Sequence, residues 1–272
     1  MILEKYILNA MKYKRATEPG TLNFSASMVS NDPWQNALNI LHGSVEQNVI
    51  GINTVVSLMH SGLEHMQFPP EAGTAHKEIS MSGMDFHHPL LKADWLISGT
   101  ADLVIDIESN GKDVLIFDYK MISAYQWEKK IAVGKESSSY LEQLLIQAKL
   151  YAALYNVPLD GRVRLYNAFF IRDAMFSKKQ QVYHEAKWFD GTFNEAVAKA
   201  DSVLLEHIAK IEPLLYDADE GKGKCEDVWW RKMLGVSIPS KCLWYCGVKD
   251  SCNHYKNINP SAKMIADPSK WV

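Results

Sequence analysis

Apolar and polar positions alternate along two neighbouring stretches, TADLVIDIE at 100–108 and DVLIFDYK at 113–120. A period of two marks a β-strand with one buried face. Ser109-Asn110-Gly111-Lys112 between them supplies turn residues, so the pair predicts a hairpin. Tyr140–Tyr155 follows a helical pattern that ends near Pro158. RVRLYNAFFIR at 162–172 and residues 180–186 predict two more strands, and 189–215 predicts an amphipathic helix. Upstream, residues 1–22 predict a short helix and a turn at Glu18-Pro19-Gly20. Residues 34–68 read as mostly helical, broken by Pro69-Pro70, with a new helix starting over Glu71–Ile79. His87-His88 before Pro89 reads as a loop. Ser25 or Ser27 is a candidate helix N-cap. Strands interleaved with helices predict an α/β fold.

The alternation puts Asp118 and Lys120 on one face of the second strand. The place of Asp102 depends on the turn. A two-residue Asn110-Gly111 loop sets it opposite Tyr119. A three-residue loop, Ser109 to Gly111 with Gly111 left-handed, sets it opposite Asp118. Their Cβ atoms then lie about 5 Å apart, a separation that suits two carboxylates sharing a hard divalent cation. Gln147 and Tyr151, four residues apart, share a helix face. Singly these features are ordinary. An Asp-x-Lys is usually a solvated strand end, a lone Gly99 marks many bulges, and Gln-x-x-x-Tyr packs many helices.

Their order is less ordinary. Gly99-x-x-Asp102, then Asp118-x-Lys120 across a hairpin, then Gln147-x-x-x-Tyr151 on the next helix resembles the PD-(D/E)XK nuclease superfamily, in its RecB/AddB-like and phage-exonuclease branch. Gly73-x-x-His76 resembles the branch's helical Gly-x-x-His, which supplies a histidine to the metal; Glu64, Glu71 and Glu78 are other acids nearby. Phe24–Met28 resembles the family's Ser-x-Ser segment, but no cysteine follows it. Gln143 is an alternative to Gln147, and only Gln147 has a tyrosine four residues on. The resemblance implies a restriction-endonuclease-like core, a central mixed β-sheet flanked by helices, with a helical N-terminal part and a cysteine-stapled C-terminal tail. In it His76, Asp102, Asp118 and the Tyr119 carbonyl would hold Mg²⁺ or Mn²⁺, and Lys120, Gln147 and Tyr151 would complete the catalytic set. It implies a metal-dependent DNA exonuclease, phage-type, acting in recombination, repair or replication. A structure- or sequence-selective endonuclease and a non-catalytic nucleic-acid-binding module remain alternatives. DNA, single- or double-stranded, is the expected partner, with a recombination or single-strand-binding protein as a further one.

All four cysteines fall late, as Cys225-x16-Cys242-x3-Cys246-x5-Cys252. Thiolates are soft ligands, suited to zinc or an iron–sulfur cluster. The tail spacing resembles the iron–sulfur staple of AddB and of CRISPR-associated RecB-like nucleases, which implies a [4Fe-4S] cluster. Those staples take their first cysteine from ahead of the nuclease motifs, whereas here Cys225 follows them. Zn²⁺ and unligated thiols stay open, and His254 is a spare ligand. Trp229, Trp230, Trp244, Tyr245 and Tyr255 lie among Arg231, Lys232, Lys249 and Lys256, a mixture that stacks bases or packs round a metal site. The polar stretch 121–139, with Tyr125, Trp127, Lys129, Lys130 and Lys135, reads as a DNA-contacting or merely solvated loop.

The 272 residues suit one elaborated domain over 1–272: a helical N-terminal region (residues 1–70), a catalytic core (71–188), and a helix with the four-cysteine tail (189–272). Net charge is −3, so DNA contact needs a local basic patch. No apolar run reaches the roughly 20 residues of a membrane span, and the N-terminus lacks a signal-peptide core. A cytoplasmic place, host cytoplasm if phage-encoded, is the expectation, and cysteines there serve metals more often than disulfides.

Overall fold

The computed structural model describes residues 22–43, 62, 73–108, 111–134, 138–171, 173, 183–219, 222–225, 230–233, 236–239, 242–243, 246 and 248–266. The helix expected over 1–22 and most of that over 34–68 lie outside them, as do Ser109, Asn110, Lys135, Trp229, Trp244 and Tyr245. The chain forms two compact units. One comprises Asn23–Ser30 and Val56–His207; the other comprises Met1–Leu22, Asn31–Val55 and Ile208–Val272.

The first unit is a six-stranded mixed sheet with helices. Its strands are β1 (Asn23–Ser25), β2 (Thr74–Phe86), β3 (Trp95–Asp106), β4 (Asp113–Ile122), β5 (Arg162–Ile171) and β6 (Tyr183–Thr192). β4 and β5 run parallel, joined by helix α2 (Ser138–Tyr155); β3/β4 and β5/β6 are antiparallel. Val104, Val114, Ile116, Val163 and Leu165 are fully buried, the branched residues that a pleated, covered surface favours. Leu144, Ile146, Ala148 and Leu150 of α2 are fully buried as well. Each large apolar side chain so covered contributes about 1.5–3 kcal/mol.

β3 has an unequal pair of edges. β2 fills one edge from Trp95 to Asp106. The other is shared by β1, parallel to Leu96–Ser98, and β4, antiparallel to Leu103–Asp106. Gly99–Asp102 lies in the gap between those two partners. Gly99 is there for close approach: a Cβ would stand 3.1 Å from both Ala26 Cβ and Leu150 Cδ1. The bulge nearby falls on β2 instead, between Met81 and Met84.

The second unit holds α1 (Pro33–His42), residues 208–219 of α3 (Phe193–Asp219), and the hairpin of β7 (Trp230–Met233) and β8 (Val236–Pro239). α4 (Pro260–Ala266) packs against β8, and Ile238, Leu243 and Ala262 make a small core. Among the described residues no helix is long and apolar enough to cross a membrane.

Several expectations change. Glu71–Ile79 does not begin a helix; from Thr74 the chain is β2, because thirteen residues there run antiparallel to β3. Pairing outweighs the helix preference of Ala75, Lys77 and Glu78. Ser25 and Ser27 cap no α-helix: a 3₁₀ turn covers Ala26–Ser30, and Asp32 caps α1 by accepting the Trp34 N–H at 2.9 Å. The helix expected from Phe189 starts at Phe193, since 189–192 still pair with β5. Within the polar stretch 121–139, Ser123 and Gln126 form a capping box that starts a turn over Ala124–Gln126, continued by a π-turn over Trp127–Ile131.

Candidate active site

The hairpin register decides which carboxylates meet. Partners run from Leu103↔Phe117 to Asp106↔Val114, and the Ile107 N–H donates to the Asp113 carbonyl at 2.9 Å. Carried one step past Leu103, this register sets Asp102 opposite Asp118. Carried the other way, it is extended by the Ile107–Asp113 hydrogen bond. Gly111 has φ +72°, and its N–H donates to Asp106 Oδ2 at 3.0 Å. Of the two registers left open by the sequence, this is the one that sets Asp102 opposite Asp118.

The β3–β4 ladder stops at Leu103↔Phe117, where Asp102 begins to serve as a backbone partner. The Tyr119 N–H, which points toward β3, donates to Asp102 Oδ2 at 2.5 Å. A strand residue turns its N–H and C=O to the same edge, so the Tyr119 carbonyl faces the same gap. The Tyr119 phenol alternates to the opposite face and meets Phe170 edge-on at 6.1 Å. Burial, then the charges of Asp102 and Glu78, push it up to about 12.

Asp118 is buried under several donors. Oδ2 takes Lys120 Nζ at 2.7 Å and Asn167 Nδ2 at 2.8 Å; Oδ1 takes Gln143 Nε2 at 2.7 Å and Gln147 Nε2 at 3.4 Å. Lys120 Nζ also donates to Gln143 Oε1 at 3.1 Å. Burial alone pulls the Lys120 ammonium down. The adjacent Asp118 charge and hydrogen bond, with Asp102 behind, outweigh that and hold it above its ordinary value. Lys120 is therefore a fixed positive charge at neutral pH.

Ser30, Lys120, Ser139, Tyr140 and Gln143 line a cavity of about 270 Å³ on this side of Asp118. Gln143, the alternative to Gln147, is thus the glutamine at the open side. Gln147 is fully buried and donates mainly to the Thr100 carbonyl at 2.8 Å, in the β3 gap. Its Oε1 is buried without a hydrogen-bond partner.

Tyr151 and His76 stand apart from this cluster. Tyr151 is buried between Tyr155 (4.6 Å) and Phe193 (6.5 Å), and burial, then Asp106, push its phenol up to about 12. One helical turn beyond Gln147 carries it along the sheet toward Asp106, away from Asp118. His76 pairs with Val104, and its ring lies 6.4 Å from Tyr155. Glu78 comes nearer. It sits between Lys77↔Leu103 and Ile79↔Ala101, beside Asp102, with φ +47°, a strained value for a non-glycine residue.

Sequence reasoning missed Asn167, Trp188 and Ser30. For Asn167 a signal existed. It is the one polar position in the alternating series Val163, Leu165, Asn167, Phe169, Ile171, all buried.

The donors round the gap are hard oxygens: the Asp102 and Asp118 carboxylates, the Tyr119 carbonyl and the orphaned Gln147 Oε1. That set fits a divalent cation such as Mg²⁺ or Mn²⁺. No group of three or more His, Cys, Asp or Glu side chains able to hold a metal is gathered among the described residues. Cys225, Cys242, Cys246 and Cys252 are buried and unbridged, and they too form no such ligand group.

No family model matches the chain, and no curated protein matches it. A solved structure described as "Crystal structure of SSO0001" aligns at 13% identity over 76% of this chain and 83% of that one, with a TM-score of 0.47. A likeness at that level says nothing of activity.

Proposed function

We propose that the chain is a metal-dependent deoxyribonuclease of the PD-(D/E)XK kind, acting on DNA ends. The observation that carries the reading is the burial of Asp118 with Lys120 at 2.7 Å, beside Asp102 at a gap in the β3 edge. Asp102 and Asp118, with the Tyr119 carbonyl, would hold Mg²⁺ or Mn²⁺. Bound there, the ion supplies Lewis acidity toward a phosphodiester and toward water. His76 has no role in this ligand set.

Lys120 acts as a charge rather than as a base. Its raised pKa keeps it protonated, so it offsets negative charge developing on the phosphate. Gln143 holds both Lys120 and Asp118 and presents its amide to the cavity. Gln147 ties Asp118 to the Thr100 carbonyl, bracing the gap from α2. Tyr151 braces the helix and touches no reacting atom. Ser30, Ser139 and Tyr140 line the space beside Lys120, and Ser139 brings a hydroxyl that can donate to a phosphate oxygen, while that of Ser30 donates to the Ser27 carbonyl at 3.0 Å.

The test is incubation with end-labelled linear DNA and with closed circular DNA, with and without Mn²⁺. Mn²⁺-dependent loss of linear DNA alone is expected, and Asp118→Asn should abolish it. Cutting of the circle gives the endonuclease. DNA binding without metal-dependent cleavage of either substrate overturns the reading.

A further inference from the structure

We propose that Asn167 is a positioning residue for Asp118, with its own orientation set by Trp188. The proposal rests on the reading of Asp118 as the central carboxylate of the site. Asn167 lies in β5 beside Asp118 in the parallel ladder and has no exposed surface. Its Nδ2 donates to Asp118 Oδ2 at 2.8 Å and to the Asp118 carbonyl at 3.0 Å. Its Oδ1 accepts from Trp188 Nε1 at 2.7 Å.

An asparagine amide can be turned over at little steric cost, so something must select one orientation. Trp188 does so. An indole N–H only donates, and an ionised carboxylate only accepts. With Oδ1 on the indole, both Nδ2 hydrogens go to Asp118. The flipped amide would oppose donor to donor at Trp188 and acceptor to acceptor at Asp118. The order Trp188→Asn167→Asp118 therefore has one satisfied arrangement.

Trp188 reaches this place from a β-bulge. Partners shift from Leu165↔Phe189 to Tyr166↔Lys187, leaving Trp188 as the extra residue on β6. Bulges re-aim side chains and recur beside active sites. The Trp188 ring is stacked on Tyr140, which lines the cavity beside Lys120. Trp188 thus backs a cavity-lining aromatic with its ring while its N–H fixes Asn167 behind Asp118. Lys120 and Asn167 share Oδ2, so Asn167 also sets where the lysine's anionic partner stands.

The test uses the full chain and the variants Asn167→Leu, Trp188→Phe and Asp118→Asn. The first readout is Mn²⁺-dependent cleavage of end-labelled linear DNA. Asn167→Leu should lower kcat about 100-fold with KM changed less than about three-fold, since the loss is in the chemical step rather than in binding. Trp188→Phe should cost about ten-fold, because the amide stays but is free to flip.

The second readout is the Trp188 indole N–H resonance, assigned by its loss in Trp188→Phe. It should move in Asp118→Asn as well as in Asn167→Leu. Wild-type kcat in Asn167→Leu, or an unmoved indole signal in Asp118→Asn, overturns the proposal. If wild type cleaves no DNA, the nuclease reading fails and the indole signal alone decides the coupling. If Asn167→Leu does not fold, Trp188→Phe and the Asp118→Asn spectrum decide it.

Discussion

Asp118 is a carboxylate that the fold surrounds with donors from four side chains: Lys120, Asn167, Gln143 and Gln147. Asp118→Asn keeps the volume and removes the charge. It should reduce metal-dependent cleavage at least about 1,000-fold while leaving DNA binding near wild type, as expected when an interaction made only in the transition state is lost. Near-normal cleavage by that variant would falsify the site. The two glutamines separate by place. Gln143→Leu should lower activity with little change in melting temperature, since Gln143 is half-buried at the cavity. Gln147→Leu should lower melting temperature and activity together, because it removes the fully buried amide's hydrogen bonds to the Thr100 carbonyl and to Asp118, at about 0.5–1.5 kcal/mol each. Equal behaviour of the two would sink this division. Lys120 also makes a pH prediction. A folded pKa raised above the unfolded value, about 10.4, keeps its charge intact through neutral pH. Its contribution to stability is complete below that unfolded value and is lost as pH rises through the folded one. A pH–rate profile falling between about pH 7 and 9 in wild type but not in Lys120→Arg would show a titrating Lys120 instead.

At the scale of elements, the hairpin and the β3 gap act together. The register of Leu103–Asp106 against Val114–Phe117 faces Asp102 toward Asp118, with left-handed Gly111 just before β4. Gly111→Val should cost about 2 kcal/mol or more. It forces a β-branched residue to φ +72° and drives its Cβ to 2.6 Å from Val157 Cγ1. Chemical denaturation measures this, and a loss under about 0.5 kcal/mol contradicts the turn geometry. The strand pair was readable because its alternation is local. β2 was harder, since Lys77 and Glu78 favour a helix and Gly83 interrupts the pattern. Only Ile79 and Met81, alternating with Ser80 and Ser82, hinted at a strand. Its pairing to β3 is a long-range interaction, and it is also what moved His76 from an expected ligand to a partner of Val104.

At the scale of the whole molecule, the cysteine tail belongs to a different compact unit from the carboxylates. Four buried thiols in a unit with a small apolar core invite a metal as an added source of folding energy. The expected outcome of anaerobic purification is bound iron with labile sulfide, or one zinc. Cys246→Ser should then lower the melting temperature of residues 208–272 before it affects cleavage. Metal-free protein with four titratable thiols, and no change on Cys246→Ser, removes both forms of the idea.

By itself the sequence determined the strand pair at 100–120, the helix through Gln147 and the clustering of the cysteines. Each rests on periodicity, turn chemistry or spacing, which are carried by neighbouring residues. Tertiary structure alone decided that Gln143 rather than Tyr151 reaches Asp118, that Glu78 rather than His76 approaches Asp102, and that Asn167 and Trp188 stand behind the site. Those facts depend on which strands share β3 and on how α2 is turned against the sheet. Pairing partners lie tens of residues apart, and no local pattern encodes the edge on which they meet.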